Sequence, residues 1–502
     1  MSSRVPDMRV TWLSRTLDPP VSPETLRRRI AEHPGAAMLE SVAQNKTFGR
    51  FSFFAWDPVR EATTPHGGDG EDPFSVLKNV CRPWLRFAHP PEIPFVGGWI
   101  GCVVYDAGRF VEPTAGWRHR SRDGLPAASW RLYDTALIHD RLKNEWIAAG
   151  VELPSRLSGG HRPPLAERLD AVEQFARQAA RDVFPSGPTL AAEGEWNDSK
   201  CDYVAKVERI LDYIRAGDVF QVNLARGFRA RLKDSPVEIY ERLCRANPAV
   251  YAAYLNLRGT DGEAPISILS SSPELFLSVR DRRVTTRPIK GTRPRGRDAD
   301  ADRAAARELA HSEKDRAELN MIIDLERNDL GRVCEYGSVR VLDEGSIETL
   351  PTVLHRTASI TGRLRADADA IDLLAAAFPG GSITGAPKVR AMQIIDELEP
   401  QARGAYCGAV GYIGVDGDMQ LNLAIRTMTV AGGHAEFHVG SGIVADSDPD
   451  DEFRELNAKA AGMLAALGLP NGGAEGNCSD TVDAAIAAPL QPSRAEVEKS
   501  RG

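Results

Sequence analysis

The most regular hydrophobic spacing in the chain begins after Ser199. Val204, Val207, Ile210, Leu211 and Ile214 recur at the three- and four-residue interval of one helical face, and Gly217 closes the run, so a helix is predicted between these two punctuation residues. Apolar runs bounded by turn residues predict strands at 219–228, 266–269, 275–279, 284–287, 409–415, 420–430 and 435–439. Helical spacing returns at 300–310, 314–328, 370–377, 388–397 and 449–466. Before residue 153, short apolar runs such as 95–105 alternate with turn residues, and strands are expected to dominate. Helices and strands do not alternate strictly, and several strand–turn–strand steps occur, which favours an α+β architecture over a doubly wound sheet.

Two stretches that break the pattern, 153–164 and 184–198, read as linkers, and periodicity is lost after Leu469. The expected organisation is an N-terminal region over 1–185, a second over 199–466 intertwined with it in one unit, and a disordered tail over 470–502. A length of 502 residues permits two or three domains, or one large one. A net charge of −8 lacks the basic excess that nucleic-acid binding needs. No apolar run is long enough to span a bilayer, and the first residues lack the basic start and apolar core of a signal peptide. A cytoplasmic location, with no nucleic acid and no membrane as partner, is therefore expected. Seven scattered cysteines without a C-x-x-C spacing suggest reduced thiols, and Cys407, beside Gly408, reads as a buried structural thiol.

Two predicted helices carry acids on faces that also carry apolar residues. Asp315 and Glu318 lie three apart on one, in line with Ile322 and Leu325; Glu452, Glu455 and Lys459 share a face of the other, which Pro449 can open. Four such carboxylates could converge on a hard cation such as Mg²⁺, or could be two solvated faces. The run Phe378-Pro-Gly-Gly-Ser-Ile-Thr384 could cradle an anion with its amides or form a tight turn, and the same alternatives hold for Gly440-Ser-Gly442. Arg426 interrupts an apolar strand, as a buried ion pair or a carboxylate clamp. Lys290, between Ile289 and Gly291, is either a surface charge or a nucleophile.

Taken in order, Ser272-Pro-Glu-Leu-Phe276, Arg287-Pro-Ile-Lys-Gly-Thr292, Asp324-Leu-Glu-Arg-Asn-Asp-Leu-Gly331, Gly385-Ala-Pro-Lys-Val-Arg-Ala-Met392, Gly408-Ala-Val-Gly-Tyr412 and Gly440-Ser-Gly442 before Glu452 and Glu455 resemble the chorismate-utilising enzymes. That family includes the anthranilate, aminodeoxychorismate, isochorismate and salicylate synthases. The likeness covers 199–466, with a weaker match at Met38-Leu-Glu-Ser41. It implies a large two-sheet β-sandwich core with outer helices and a Mg²⁺ cofactor that bridges enzyme carboxylates to chorismate. It also implies Glu318 and Glu455 as Mg²⁺ ligands, with Asp315 and Glu452 close by, and Tyr412, Arg426, Gly440, Ser441, Gly442 and Lys459 around the substrate carboxylates. Gly291, Thr292 and Thr384 would line the substrate, His355 would sit near the departing group, and Leu39, Glu40 and Ser41 resemble the family's tryptophan-binding element.

Two positions divide the family by chemistry. Gln221 stands where isochorismate and salicylate synthases carry a water-activating lysine, and an amide cannot serve as that base. Lys290 stands where anthranilate synthases carry alanine and aminodeoxychorismate synthases carry lysine. The resemblance thus implies attack by Lys290 on chorismate, protonation of the leaving hydroxyl by Glu274, and capture by ammonia. The chain lacks a G-x-C-x-G glutaminase elbow, so a separate glutamine amidotransferase subunit is implied as ammonia source. The alternatives are anthranilate synthesis and, outside catalysis, a regulatory subunit that binds chorismate or an amino acid.

Overall fold

The computed structural model describes residues 11–470, apart from 18–20, 44–47, 66–70, 83, 86–92, 120–123, 161, 185–192 and 260–264. The tail from 471, read above as disordered, and most of the stretch 184–198 lie outside the described residues.

In the strand Tyr251–Leu257, Ala252 and Tyr254 enter one core while Ala253 and Leu255 enter another, because successive strand side chains point to opposite faces. A sheet that is apolar on both faces has to be covered on both. Twelve strands build this sheet, in the order Trp12–Leu17, Glu145–Val151, Thr135–Asp140, Phe51–Ala55, Ala37–Glu40, Tyr251–Leu257, Ile266–Ser272, Thr427–Ala431, His434–Ile443, Gln221–Arg231 and Gly385–Ala386, with Glu193–Trp196 added beside Gln221–Arg231. Ten strands build the second, in the order Ile289–Pro294, Val353–Arg363, Arg283–Arg287, Leu275–Arg280, Met419–Leu423, Ala409–Gly414, Gly98–Val103, Ala128–Tyr133 and Arg60–Thr64, with Arg340–Thr349 paired to Val353–Arg363. Both sheets take strands from before residue 152 and from after residue 220.

The sheets share a core in which the Phe53 ring of the first packs on the Tyr412 ring of the second, beside Ile100. Trp99 and Trp130 of the second sheet are almost wholly buried, each contributing on the order of 5 kcal/mol of apolar burial. Leu26, Ile30, Val207, Ile239 and Met463 from helices cover the other face of the first sheet. Leu319, Ile323 and Leu330 of the helix Glu313–Gly331 join the core of the second. The architecture is α+β, as the mixed pattern of elements predicts.

Four sequence expectations need correction. The run 420–430, read as one strand, is two: Met419–Leu423 lies in the second sheet and Thr427–Ala431 in the first, with Arg426 at φ 50° in the crossing. The stretch 153–164 is not merely a linker, since it holds the short helix Ser155–Ser158 and runs into the helix Leu165–Ala179, whose Leu169, Val172 and Ala176 are buried. Likewise, Glu193–Trp196 within 184–198 is a strand. Cys81, Cys102, Cys244, Cys334 and Cys407 are free and buried, whereas Cys201 is disulfide-bonded, which its spacing did not suggest.

Candidate active site

The segment Ile289-Lys-Gly-Thr292 is bent where it pairs with Val353–Arg363. Ile289 faces Thr357 and Thr292 faces His355, so Lys290 and Gly291 together oppose the single residue Arg356. Such a bulge bends the strand and re-aims the extra side chain. Gly291 is needed on two counts, a φ of 82° and a missing Cβ that would lie 2.8 Å from the Asp315 carboxyl carbon. The Lys290 ammonium nitrogen donates to the Ser382 carbonyl at 3.1 Å. Burial lowers its pKa, opposed by the nearby charges of Glu318 and Glu274. Glu274 is buried beside it, and burial pushes its carboxyl up to about 7, opposed by Lys290 and by hydrogen bonds from Ser382 and the Ile289 amide. A lysine whose pKa is lowered and a carboxyl whose pKa is raised are shifted toward the two states that nucleophilic and acid catalysis require.

One residue beyond the bulge, the Thr292 hydroxyl lies 2.8 Å from His355 Nδ1. His355 is buried, its Nε2 has no hydrogen-bond partner among the described residues, and burial with the nearby Arg426 holds its pKa at about 3. It is therefore neutral at physiological pH and fit to orient a ligand rather than to supply a proton. Arg426 itself is half-buried, and no carboxylate among the described residues pairs with it. A desolvated guanidinium without a counter-ion is costly in the fold and is the chemistry of a carboxylate receptor. The buried ion pair weighed above is absent among the described residues.

The four acids divide into two pairs. Asp315 is engaged by Arg293 at 3.0 Å, and the buried Glu452 accepts from the Ser441 and Ser447 hydroxyls. Glu318 is half-buried with no direct hydrogen bond or ion pair among the described residues, and burial raises its pKa. Glu455 meets Lys459 at 2.8 Å, which lowers its pKa, with Lys314 and Lys290 also within electrostatic reach. Glu318 and Glu455 also feel each other's charge. No group of three or more acidic, His or Cys side chains is arranged to hold a metal among the described residues. Glu318 is open to a cation and Glu455 would have to exchange Lys459 for one; such a pair suits Mg²⁺, which commonly takes one or two carboxylates and keeps its other positions for water and substrate.

The strand His434–Ile443 passes its glycines against Gln221–Arg231, with Gly440 opposite Ala225 and Gly442 opposite Asn223. A Cβ on Gly440 would meet the Tyr406 hydroxyl at 2.7 Å, and one on Gly442 the Gln221 amide nitrogen at 2.8 Å; close approach explains these glycines. Lys459 donates to the Gly440 carbonyl at 3.1 Å. Gln221 is fully buried, and among the described residues neither of its amide atoms is hydrogen-bonded. Buried amides without partners are rare in finished cores. The Phe378–Thr384 turn turns a carbonyl toward Lys290, the Thr384 hydroxyl donates to Gly380 O, and a Cβ on Gly381 would strike Leu325 at 2.6 Å, so packing on the acidic helix accounts for this Gly.

Tyr412, assigned above to the substrate carboxylates, lies elsewhere. Its ring packs on Phe53 and Phe95, and it lines a separate cavity between the sheets with Leu39, Glu40 and Asn422. The tyrosine beside the glycine strand is Tyr406, whose turn is held by Arg403; that buried guanidinium binds Glu399, Asn223 O and Ile383 O. The hint in the sequence was the neighbouring Cys407 and Gly408, since a turn entering a strand can aim a side chain away from the strand's own alternation. The Glu40 carboxylate is bound by Arg27 at 2.9 Å and Tyr240 at 3.0 Å, and Ser41 Oγ donates to Val250 O.

Residues 36–465 match the family described as chorismate binding enzyme. The chain belongs to that family. It is 39% identical over 475 residues to aminodeoxychorismate synthase component 1 of Salmonella typhimurium, covering 91% of this chain and all of the relative. It is 37% identical over 464 residues to anthranilate synthase component 1 of Streptomyces coelicolor, covering 90% and 87%. Among solved structures, anthranilate synthase component I from Streptococcus pneumoniae superposes with a TM-score of 0.71 at 33% identity, over 84% of this chain and 93% of that one. The chain is a chorismate-utilising enzyme of the two-sheet α+β fold, and no described helix is long and apolar enough to cross a membrane.

Proposed function

We propose that the chain is aminodeoxychorismate synthase component I, converting chorismate and ammonia to 4-amino-4-deoxychorismate, the precursor of 4-aminobenzoate in folate synthesis. The observation that carries this reading is Lys290, set on a glycine-dependent bulge beside a carboxyl group that keeps its proton to about pH 7. Lys290 in its amine form attacks C2 of chorismate as the C4–O bond breaks, and Glu274 gives its proton to the departing hydroxyl, which leaves as water. Ammonia then adds at C4 and expels the lysine from C2. Gln221, without a base of its own, leaves water without activation. Arg426 clamps a substrate carboxylate and neutral His355 orients the ring through its free Nε2. Glu318 and Glu455 would hold Mg²⁺, which when bound supplies positive charge to a substrate carboxylate. Ammonia comes from a separate glutamine amidotransferase subunit.

The test is purified protein with Mg²⁺, chorismate and ammonium salt, with products separated. Aminodeoxychorismate is expected; anthranilate with pyruvate would overturn the reading in favour of the anthranilate synthase activity, which the 37% identity to such an enzyme keeps in view. No product at any pH would point to a binding subunit instead. Intact mass after chorismate without ammonia should show an adduct on wild type that Lys290→Ala lacks.

A further inference from the structure

Arg403 stands just past the helix Lys388–Leu398 and is 2% exposed. A guanidinium carries five N–H groups in a fixed planar fork, and in Arg403 each of the five has an acceptor. Nε and Nη2 donate to the Glu399 carboxylate at 2.9 and 2.6 Å, Nη2 also to Asn223 O at 2.6 Å, and Nη1 to Ile383 O at 2.9 Å and Cys407 Sγ at 3.6 Å. Three separate segments of the site are joined by these bonds. Ile383 follows Ser382, whose carbonyl accepts from Lys290 at 3.1 Å and whose hydroxyl is hydrogen-bonded to Glu274. Asn223 donates its backbone N–H to Thr384 O at 2.9 Å, at the end of the same turn, and its side chain is hydrogen-bonded to the Tyr406 hydroxyl. Cys407, at φ 65°, follows Tyr406, whose backbone N–H donates to Arg403 O at 3.2 Å. Glu399 closes the set, since its Oε1 also accepts from Ala225 N at 2.9 Å.

Replacing a buried ion pair by apolar residues of the same size is often neutral for stability, and a lysine would keep the charge but lose the fork. What the fork supplies is a fixed place for the turn Gly381–Ile383, which no side chain caps. We propose that Arg403 is a positioning residue for the amination: it holds Ser382 so that a single residue presents its carbonyl to the Lys290 amine and its hydroxyl to Glu274. This rests on the reading of Lys290 and Glu274 given above. A neutral amine that donates one N–H to Ser382 O keeps its lone pair free for carbon. Arg403 touches neither reacting group and acts through Ile383 and Asn223. A misplacement of about 1 Å transmitted in this way can slow a reaction on the order of a hundredfold.

Arg403→Lys tests the fork at constant charge. In the assay with Mg²⁺, chorismate and ammonium salt its kcat is expected to fall about tenfold to a hundredfold, with KM for chorismate within about threefold of wild type. The rate of adduct formation without ammonia, followed by intact mass, should fall by the same factor, because that step needs only Lys290 and Glu274. The Ser382 hydroxyl lowers the Glu274 pKa, so a displaced turn should move the alkaline limb of turnover to higher pH; the charged or titratable side chains that act on Glu274 are Lys290 and Glu326. Where Arg403→Lys does not fold, Arg403→Met combined with Glu399→Gln fills the same space without charge and should show the same losses. A merely structural role would lower the melting temperature while the folded protein keeps the wild-type kcat, adduct rate and pH profile; that result overturns the proposal, as does failure of both variants to fold. Wild type that forms no aminodeoxychorismate overturns the functional reading and this role with it, whereas a productive wild type beside an unimpaired variant overturns the role of Arg403 alone.

Discussion

Replacing Glu274 by Gln separates what this carboxyl does for catalysis from what it costs the fold. Folded, it titrates at about 7 against an ordinary 4.5, a difference that corresponds to about 3 kcal/mol. The sign follows from proton binding. Between pH 4.5 and 7 the folded protein holds a proton that the unfolded chain has lost, so stability is greatest below 4.5 and declines as pH rises to about 7. Above that, wild type carries a buried carboxylate, and only Lys290, Ser382 and the Ile289 amide offset it. Gln keeps the acceptor oxygen for Ser382 and Ile289 and removes the charge. Urea unfolding of both proteins from pH 4.5 to 8 should show their stability difference shift by about 3 kcal/mol in favour of Glu274→Gln. The same variant should lose turnover, while wild-type turnover should fall as pH rises through 7 and the acid form disappears. A stability difference that stays constant across the range, or a Gln variant that remains active, would refute the reasoning.

Arg426→Gln should lower kcat/KM for chorismate between about tenfold and a hundredfold, the range of one charge-assisted contact. Because no carboxylate among the described residues pairs with it, its melting temperature should hold or rise; a marked fall would show that Arg426 has a structural partner. Glu318→Gln and Glu455→Gln should each raise the Mg²⁺ concentration needed for half-maximal activity, and an unchanged requirement would count against both as ligands. Glu40→Ala should cost about 3–5 kcal/mol in urea unfolding, because the nearly buried Arg27 loses its carboxylate; a loss below about 1 kcal/mol would contradict that.

Long periodic elements were legible from the sequence because their rules are local. The C-terminal helix Pro449–Ala466 has the predicted bounds, with the Asp448 side chain capping its first amides. The run 420–430 was not legible for a physical reason. Leu421 and Leu423 flank Asn422, which reaches across the gap to Tyr251, so they point to the far face of the second sheet, while Met428 and Val430 enter the core under the helices of the first. Alternation alone cannot mark a change of sheet. The helix Leu165–Ala179 was hidden by the prolines at 163 and 164, which precede its first turn rather than break it. At the site, the motif placed Lys290, but not the bulge that aims it. Which acids stay open to a cation depends on Arg293, Ser441 and Ser447, distant partners that spacing cannot reveal. Tyr406 and Tyr412 are equally plausible in sequence, and only the turn held by Arg403 separates them.

The crossing that sequence pattern concealed gives the molecule a mechanical property. Asn422, just before it, donates to Tyr251 O of the opposite sheet at 2.8 Å, and Thr427, just after it, is 2.8 Å from Ser270. Arg426 therefore hangs on a three-residue bridge anchored at one end in each sheet. Where the guanidinium stands is therefore set by both sheets at once, and neither alone could place it.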